Sequence, residues 1–276
     1  MKKKRGGRGA EAFREHYSGL FGERWPALEA ALAAEPDSVP FFAGEGLDPY
    51  YMDSASIFAA SSLVLPSEGR ILDACAAPGG KSLVLASRLG PETTLVANEL
   101  SAERRRRLGL VLDRYLQPPL RERVEVTGRD AAAMCRSFES AFDAILLDAP
   151  CSSERHVLRR AKAGSRAAGR ADEGALAEWN PARVRSLAQR QWALLSSALI
   201  MLKTEGCLLY STCALSPEEN DAVVARAAAR HGATLVFDKP IYSEPGIAEE
   251  TEYGLAILPD RAGGAGPMYV CRMIKT

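Results

Sequence analysis

The chain has 276 residues, 47% of them hydrophobic and 25% charged, with 23 Gly and 16 Pro. This is ordinary globular composition and excludes a collagenous, low-complexity or disordered chain. Thirty-five Lys and Arg balance 35 Asp and Glu, so no global positive field marks a nucleic-acid binder and any basic patch is local.

No run of 18 apolar residues occurs, which excludes a helical membrane span. Behind the charged opening MKKKRGGRGA, Glu11, Arg14, Glu15 and Glu23 stand where a secretion signal needs an apolar stretch. Neither a signal nor a transit peptide is expected. The six cysteines (75, 135, 151, 207, 213 and 271) form no CxxC pair, and the histidines are His16, His156 and His231. Neither a zinc site nor a disulfide framework is expected, and the chain reads as a reduced, cytoplasmic protein.

In chain order, residues 1–10 are a basic tail, and 11–35 read as one or two short helices with apolar Phe13, Tyr17, Leu20 and Phe21, then Trp25, Leu28 and Leu32. Residues 36–53 are a Pro/Gly-punctuated connector, and 54–64 read as a helix capped by Ser54. Residues 1–50 are therefore expected as a tail and small helical segment, and 51–276 as the main domain. From residue 70, apolar runs of strand length recur at 71–75, 94–97, 123–127, 143–147 and 207–211. Helical segments at 80–88, 101–115, 183–202 and 217–230 lie between or beside them, with Asn180-Pro181 as cap and first turn of the third. A last strand is expected at 267–275. Strand alternating with helix predicts an α/β fold with a mostly parallel sheet covered on both faces.

One connection is anomalous. Residues 152–182 separate a strand from its helix by about thirty residues, and from Arg155 through Arg159, Arg160, Lys162, Arg166 and Arg170 no acid occurs until Asp172. Such a loop is either a solvated, flexible excursion or a phosphate-binding arm.

The strand at ILDACAAPGGKS (71–82) ends in a turn of small residues, which lets backbone amides approach a polar or anionic group. Cys75 stands where a phosphate-binding loop needs Gly, and no GxGxxG follows, so both nucleotide fingerprints are excluded. Glu99 closes the second strand, where a carboxylate accepts from two ribose hydroxyls. Asp130 closes the third, placed to accept from an exocyclic amine, and Asp148 closes the fourth. Each alone reads as a cap or surface acid. Three on one sheet edge point to a nucleoside-bearing cofactor. Cys151 follows the fourth strand and Cys213 follows the fifth, 62 residues later. Ends of adjacent strands lie roughly 5 Å apart, so the two thiols can flank one pocket. Cys75, Cys135, Cys207 and Cys271 sit in apolar or helical runs and read as core.

These residues resemble the Sun/Nop-type RNA cytosine-5 methyltransferases, which use S-adenosylmethionine. The matching segments are DACAAPGGKS (73–82), VANELSAERRRRL (96–108), GRDA (128–131), DAPCSSERH (148–156) and YSTCALSPEEN (210–220), with PYYMDSAS (49–56) as lead-in. The resemblance implies a Rossmann-like class I methyltransferase sheet of seven strands in the order 3-2-1-4-5-7-6, the last-inserted strand antiparallel. It implies that Cys75, Ala76, Ala77, Pro78, Gly79, Gly80 and Lys81 cradle the methionine portion, that Glu99 binds ribose and Asp130 adenine, and that Asp148 lies beside methyl group and base. Cys213 becomes the nucleophile, Cys151 assists product release, and Lys81 stands near the substrate. Glu99 departs from the family's more frequent Asp, and Ser152-Ser153 from its Ser-Gly.

The expected partner is RNA, ribosomal before transfer, met by a chain without metal and acting as a monomer. Its expected contacts are Lys2–Arg8, Arg104–Arg107, and Arg155, Arg159, Arg160 and Lys162 of the insert. Three other readings stay open: a DNA cytosine-5 methyltransferase with the first cysteine as nucleophile, an RNA-binding assembly factor with a vestigial site, and a methyltransferase of proteins or small molecules.

Overall fold

The computed structural model describes residues 9–36, 38–168, 176, 179–240, 242 and 247–276. The basic run Lys2–Arg8, and Arg170 and Asp172 of the insert, lie outside the described residues. Among the latter, no helix is long and apolar enough to cross a membrane.

The core is built by strands whose alternate side chains face opposite layers. β3 (Glu68–Asp73) sends Ile71 to one face and Leu72 to the other; β6 (Phe142–Asp148) splits Leu146 from Leu147, and β7 (Leu202–Thr212) splits Leu209 from Tyr210. This period of two explains the continuous apolar runs, because a strand covered on both faces has no polar side. α3 (Ser54–Ser61), α4 (Gly80–Ala86) and α5 (Ala102–Tyr115) cover the first face; α8 (Pro181–Met201) and α9 (Asp221–His231) cover the second.

β3 lies at the centre, paired in parallel with β4 (Glu92–Asn98) and β6; β4 continues to β5 (Val124–Thr127), and β6 to β7. β11 (Met268–Lys275) joins β7 antiparallel, and β8 (Leu235–Asp238) pairs with the second half of β11. The sheet has nine strands among the described residues, not the expected seven. β9 (Ala248–Glu250) and β10 (Leu255–Ile257) form a hairpin on the first half of β11. At three residues each, they are too short to carry a readable alternation.

The N-terminal helices α1 (Ala10–Phe21) and α2 (Trp25–Ala33) bury Phe13, Tyr17, Trp25, Leu28 and Leu32 in a third cluster. A ribbon of β1 (Val39–Phe41) and β2 (Tyr50–Met52) follows, with residue 50 inside it. The third cluster is completed by α7 (Glu154–Ala168), which forms the first half of the anomalous insert. Leu158, with Val157 and Ala161 beside it, meets the aromatic residues of α1 and α2. Burial of large apolar side chains, worth about 1.5–3 kcal/mol each, orders a segment whose arginine content suggests a loop. A short α6 (Pro118–Arg121) precedes β5. The cap of α3 is Asp53 rather than Ser54: its Oδ1 accepts from the Ala55 amide at 2.8 Å.

Candidate active site

The C-terminal ends of β3, β4, β6 and β7 converge on one edge, and the loops leaving them hold most of the expected site residues. After β3, the Ala74 amide donates to Leu146 O (2.9 Å) and the Ala76 amide to Asn98 O (2.8 Å), which locks the turn between its neighbouring strands. Gly79 has φ +121°, and a Cβ there would lie 2.9 Å from Val111 and 3.2 Å from Leu108 of α5. A Cβ on Gly80 would meet the Tyr50 ring at 2.9 Å. Both positions need the missing side chain, so the turn can sit against α5 and the β-ribbon.

Two crevices meet at Cys75, which lines both. The larger, about 370 Å³, is lined by Glu99 and Asp130 with Asn98, Arg129 and Arg190. Glu99 is buried, takes the Ser101 amide on Oε1 at 2.9 Å and lies 3.1 Å from the Arg104 guanidinium. Arg104 also donates to Ala77 O at 2.6 Å, tying the ends of β3 and β4 together. Asp130 is exposed, with Arg190 at 3.8 Å. The smaller crevice, about 110 Å³, is lined by Ala76, Ala77, Pro78, Gly80, Lys81 and Asp148, with Asp73 and Tyr50 at its walls.

Lys81 Nζ donates to Asp148 Oδ2 at 2.8 Å, and Ser211 Oγ donates to the other oxygen at 3.0 Å. Burial acts to lower the Lys81 pKa, but the Asp148 carboxylate outweighs it and leaves the amine more basic than usual. Asp73, expected only as part of a strand, is fully buried; burial pushes its carboxyl up to about 7. Its Oδ2 accepts from Ser82 Oγ at 2.6 Å, whereas Oδ1 is buried with no partner among the described residues.

Cys151 and Cys213 are free thiols with sulfurs 2.9 Å apart. Ser153 Oγ stands 3.4 Å from each, brought there by a left-handed backbone at φ 54° that non-glycine residues seldom adopt. The Cys151 thiol donating to Cys213, helped by Ser153, holds the Cys213 pKa below the ordinary thiol value against the effect of burial. The same hydrogen bond, with burial, pushes Cys151 well up. Cys213 is thus the more acidic of the two thiols and Cys151 the hydrogen-bond donor between them. The Cys213 charge is felt at Lys81, so the thiols and the Lys81–Asp148 pair form one electrostatic unit. Burial raises Cys75 far above the thiol range, and Cys207 and Cys271 are buried in the core.

Among the insert's cations with described side chains, Arg155 departs from the expected phosphate-facing placement. Arg155 is turned into the protein and donates to Gly264 O (2.7 Å), Ala31 O (3.2 Å) and Gly266 O, with Asp53 at 3.4 Å. A guanidinium with four acceptors clamps α7 to α2 and the C-terminal loop; it does not offer itself to phosphate. Arg159 pairs with Glu35, and Lys162 donates to Ala33 O at 3.2 Å, both toward α2. Arg160 is exposed. No group of three or more metal-ligating side chains occurs among the described residues. A further cavity of about 190 Å³, behind Ala214 and Leu215, is lined by Asp221, Glu249 and Glu250 and contains none of the expected site residues.

Residues 60–274 match the family model described as 16S rRNA methyltransferase RsmB/F. The chain is 30% identical over 248 residues to the 5-cytosine rRNA methyltransferase NSUN4 of Bos taurus, covering 83% of this chain and 60% of that protein. It is 36% identical over 214 residues to the ribosomal RNA small subunit methyltransferase F of Aeromonas hydrophila, covering 75% and 42%. The chain thus spans about half the length of these curated relatives. A methyltransferase homolog protein from Pyrococcus horikoshii shares the fold, with a TM-score of 0.71 at 20% identity over 97% of this chain and 95% of that one.

Proposed function

Because the chain belongs to the RsmB/F family of 16S rRNA methyltransferases, we propose that it transfers a methyl group from S-adenosylmethionine to C5 of a cytosine in RNA, ribosomal RNA before transfer RNA. The observation that carries this reading is the pair of free thiols 2.9 Å apart beside the Lys81–Asp148 ion pair, at the strand ends that border both crevices.

The crevices fit the cofactor. The Gly79–Gly80 turn is a cradle that side chains would fill, and Asp73 Oδ1 is a buried acceptor awaiting a donor, as the methionine ammonium supplies. Glu99 and Asp130 present carboxylates to the wider crevice, suited to ribose hydroxyls and the adenine amine. When bound there, S-adenosylmethionine supplies an electrophilic methyl group.

The remaining chemistry belongs to the chain. C5 of cytosine is a poor nucleophile until a thiolate adds to C6 and turns the ring into an enamine. Cys213 is the thiolate, because two donors, Cys151 and Ser153, hold its charge. In this reading Asp148 accepts from the base amine, and Lys81, 2.8 Å away, balances its charge. Once C5 is methylated, its proton must pass to a base as the Cys213 bond breaks; Cys151, which contacts Cys213, can take it only as a thiolate, after giving up the proton that its raised pKa makes it hold, and a bound water is the other acceptor. Addition at C6 uses a ring face that base stacking hides, so the cytosine must be unpaired or flipped out.

Incubating the full chain with tritiated cofactor and unmodified ribosomal or transfer RNA tests the proposal. Label in 5-methylcytosine supports it; no label in cytosine of either class overturns it. Cofactor binding without turnover on any RNA favours the assembly-factor reading instead.

A further inference from the structure

Two buried carboxylates hold the cysteine loops together. Glu154 lies on the Cys151 side and Glu219 on the Cys213 side; their exposures are 1% and 0%. Each accepts from the other loop's backbone: the Leu215 amide donates to Glu154 Oε2 at 3.1 Å, and the Ser152 amide to Glu219 Oε2 at 3.0 Å. Between them stands the Ser152 hydroxyl, in contact with Oε1 of both. Tyr17 donates to Glu154 at 2.5 Å, and Gln191 Nε2 donates both to Glu219 (2.8 Å) and to Pro150 O (2.9 Å), next to Cys151. Neither carboxylate has an ion pair among the described residues.

Counting protons fixes the direction of this chain. A serine hydroxyl has one hydrogen and donates to one carboxylate only. At its other contact the carboxyl itself must donate, or two lone pairs collide in a buried site. Glu154 already accepts from Tyr17 and Leu215 on its two oxygens, so it is the charged end. Glu219 needs one oxygen to accept from Ser152 N and Gln191 and has the other left to give a proton to Ser152 Oγ.

We propose that protonated Glu219, the Ser152 hydroxyl and ionised Glu154 form a clasp of positioning residues that sets the approach of Cys151 to Cys213, and that loss of the Glu219 proton opens it. Its role in catalysis rests on the proposed cytosine chemistry. Burial, and next the charge of Glu154, raise the Glu219 carboxyl to about 7. Of the groups beside the clasp, the Cys213 thiol, held below its ordinary value, is the rival titration, and Glu219→Gln, which keeps both thiols, separates it from Glu219. Tyr17 from α1 and Tyr210 from β7 are pushed well above the usual phenol value by burial. His16 from α1, facing Glu218 and Glu154, is lowered by burial below the ordinary imidazole value, and Gln191 from α8 does not titrate.

The clasp predicts an asymmetry that a merely structural role does not. Glutamine reproduces a protonated carboxyl, with one accepting oxygen and one donating group, but cannot accept on both ends. Glu219→Gln should keep the clasp; Glu154→Gln and Glu219→Ala should break it. The probe is phenylarsine oxide, which bridges two thiols only when they are close, with mass spectrometry locating the bridge on Cys151 and Cys213 in the full chain. Wild-type capture should be fast at pH 6 and fall at least about tenfold, relative to a free dithiol control, by pH 8.5. Glu219→Gln should abolish that fall, and Glu154→Gln should be slow throughout, by about the tenfold that one lost buried hydrogen bond implies. Equal effects of the two glutamine variants, or wild-type capture that tracks the control across pH, would overturn the proposal. The wild-type profile and its change in Glu219→Gln decide the matter even if Glu154→Gln does not fold. Capture needs no RNA, so an absent methyl transfer leaves this test intact and indicts the function instead.

Discussion

Ser153 is a small residue with a large influence on the nucleophile. Its hydroxyl reaches both sulfurs, and its strained φ of 54° is what aims it. Removing it in Ser153→Ala takes one donor from the Cys213 thiolate, so the thiolate absorbance near 240 nm should titrate at higher pH than in wild type. An unchanged titration would leave Cys151 as the sole support. Asp148 offers a second test, since it carries the charge that Lys81 and Ser211 orient. Asp148→Asn should lower the methylation rate by about a hundredfold, the scale of one well-placed electrostatic group, with cofactor affinity changed far less. At this scale the strand-end residues were legible: Glu99, Asp130, Asp148, Cys151 and Cys213 each follow an apolar run by position alone. Asp73, Ser153 and Glu219 were not, because a carboxylate inside ILDAC and a serine beside a cysteine look like strand and loop until burial shows otherwise.

Among the elements, α7 departs most from its sequence appearance. Its arginines dominate the composition and hide the apolar set Val157, Leu158 and Ala161, which has helical spacing. What fixes its position is the Arg155 clamp, whose acceptors lie on α2, before α3 and before β11. Arg155→Ala should strip these carbonyls and Asp53 of a buried donor and lower the melting temperature by roughly 2–4 °C for each kcal/mol lost. Arg155→Lys should not restore it, because an ammonium cannot reproduce the planar fork. Arg160, exposed on the same helix, should leave the melting temperature unchanged when replaced by Glu. If it meets RNA, Arg160→Glu flattens the salt dependence of RNA binding by about one unit of slope; an unchanged slope removes α7 from the RNA surface.

The whole molecule is a doubly covered sheet that brings four strand ends, two crevices and two thiols to one edge, the place where such sheets bind ligands. Alternating strand and helix revealed that architecture in the sequence, whereas the β9–β10 hairpin and the packing of α1 and α2 on α7 depend on contacts distant in the chain. The same burial that builds the site carries a stability cost. Asp73 and Glu219 have carboxyls raised from 3.8 and 4.5 to about 7. The folded chain therefore binds these protons more tightly than the unfolded chain does, so stability is greatest below the unfolded values and declines as pH rises toward 7. Between pH 5 and pH 7 each group accounts for a decline of about 3 kcal/mol at most. Denaturant unfolding at pH 5 and pH 8 should show that fall, reduced in Glu219→Gln; a stability that rises over this interval would contradict these buried, proton-holding carboxyls.

The convergence of Cys151 and Cys213 on one cytosine is tested most directly by mass spectrometry of Cys151→Ala after incubation with cofactor and RNA. Without the Cys151 proton carrier, a protein–RNA adduct should accumulate, survive denaturation and map to Cys213 alone, and Cys213→Ala should form none. An adduct on Cys151 in the Cys213→Ala variant, or methylated cytosine produced by that variant, would contradict the account.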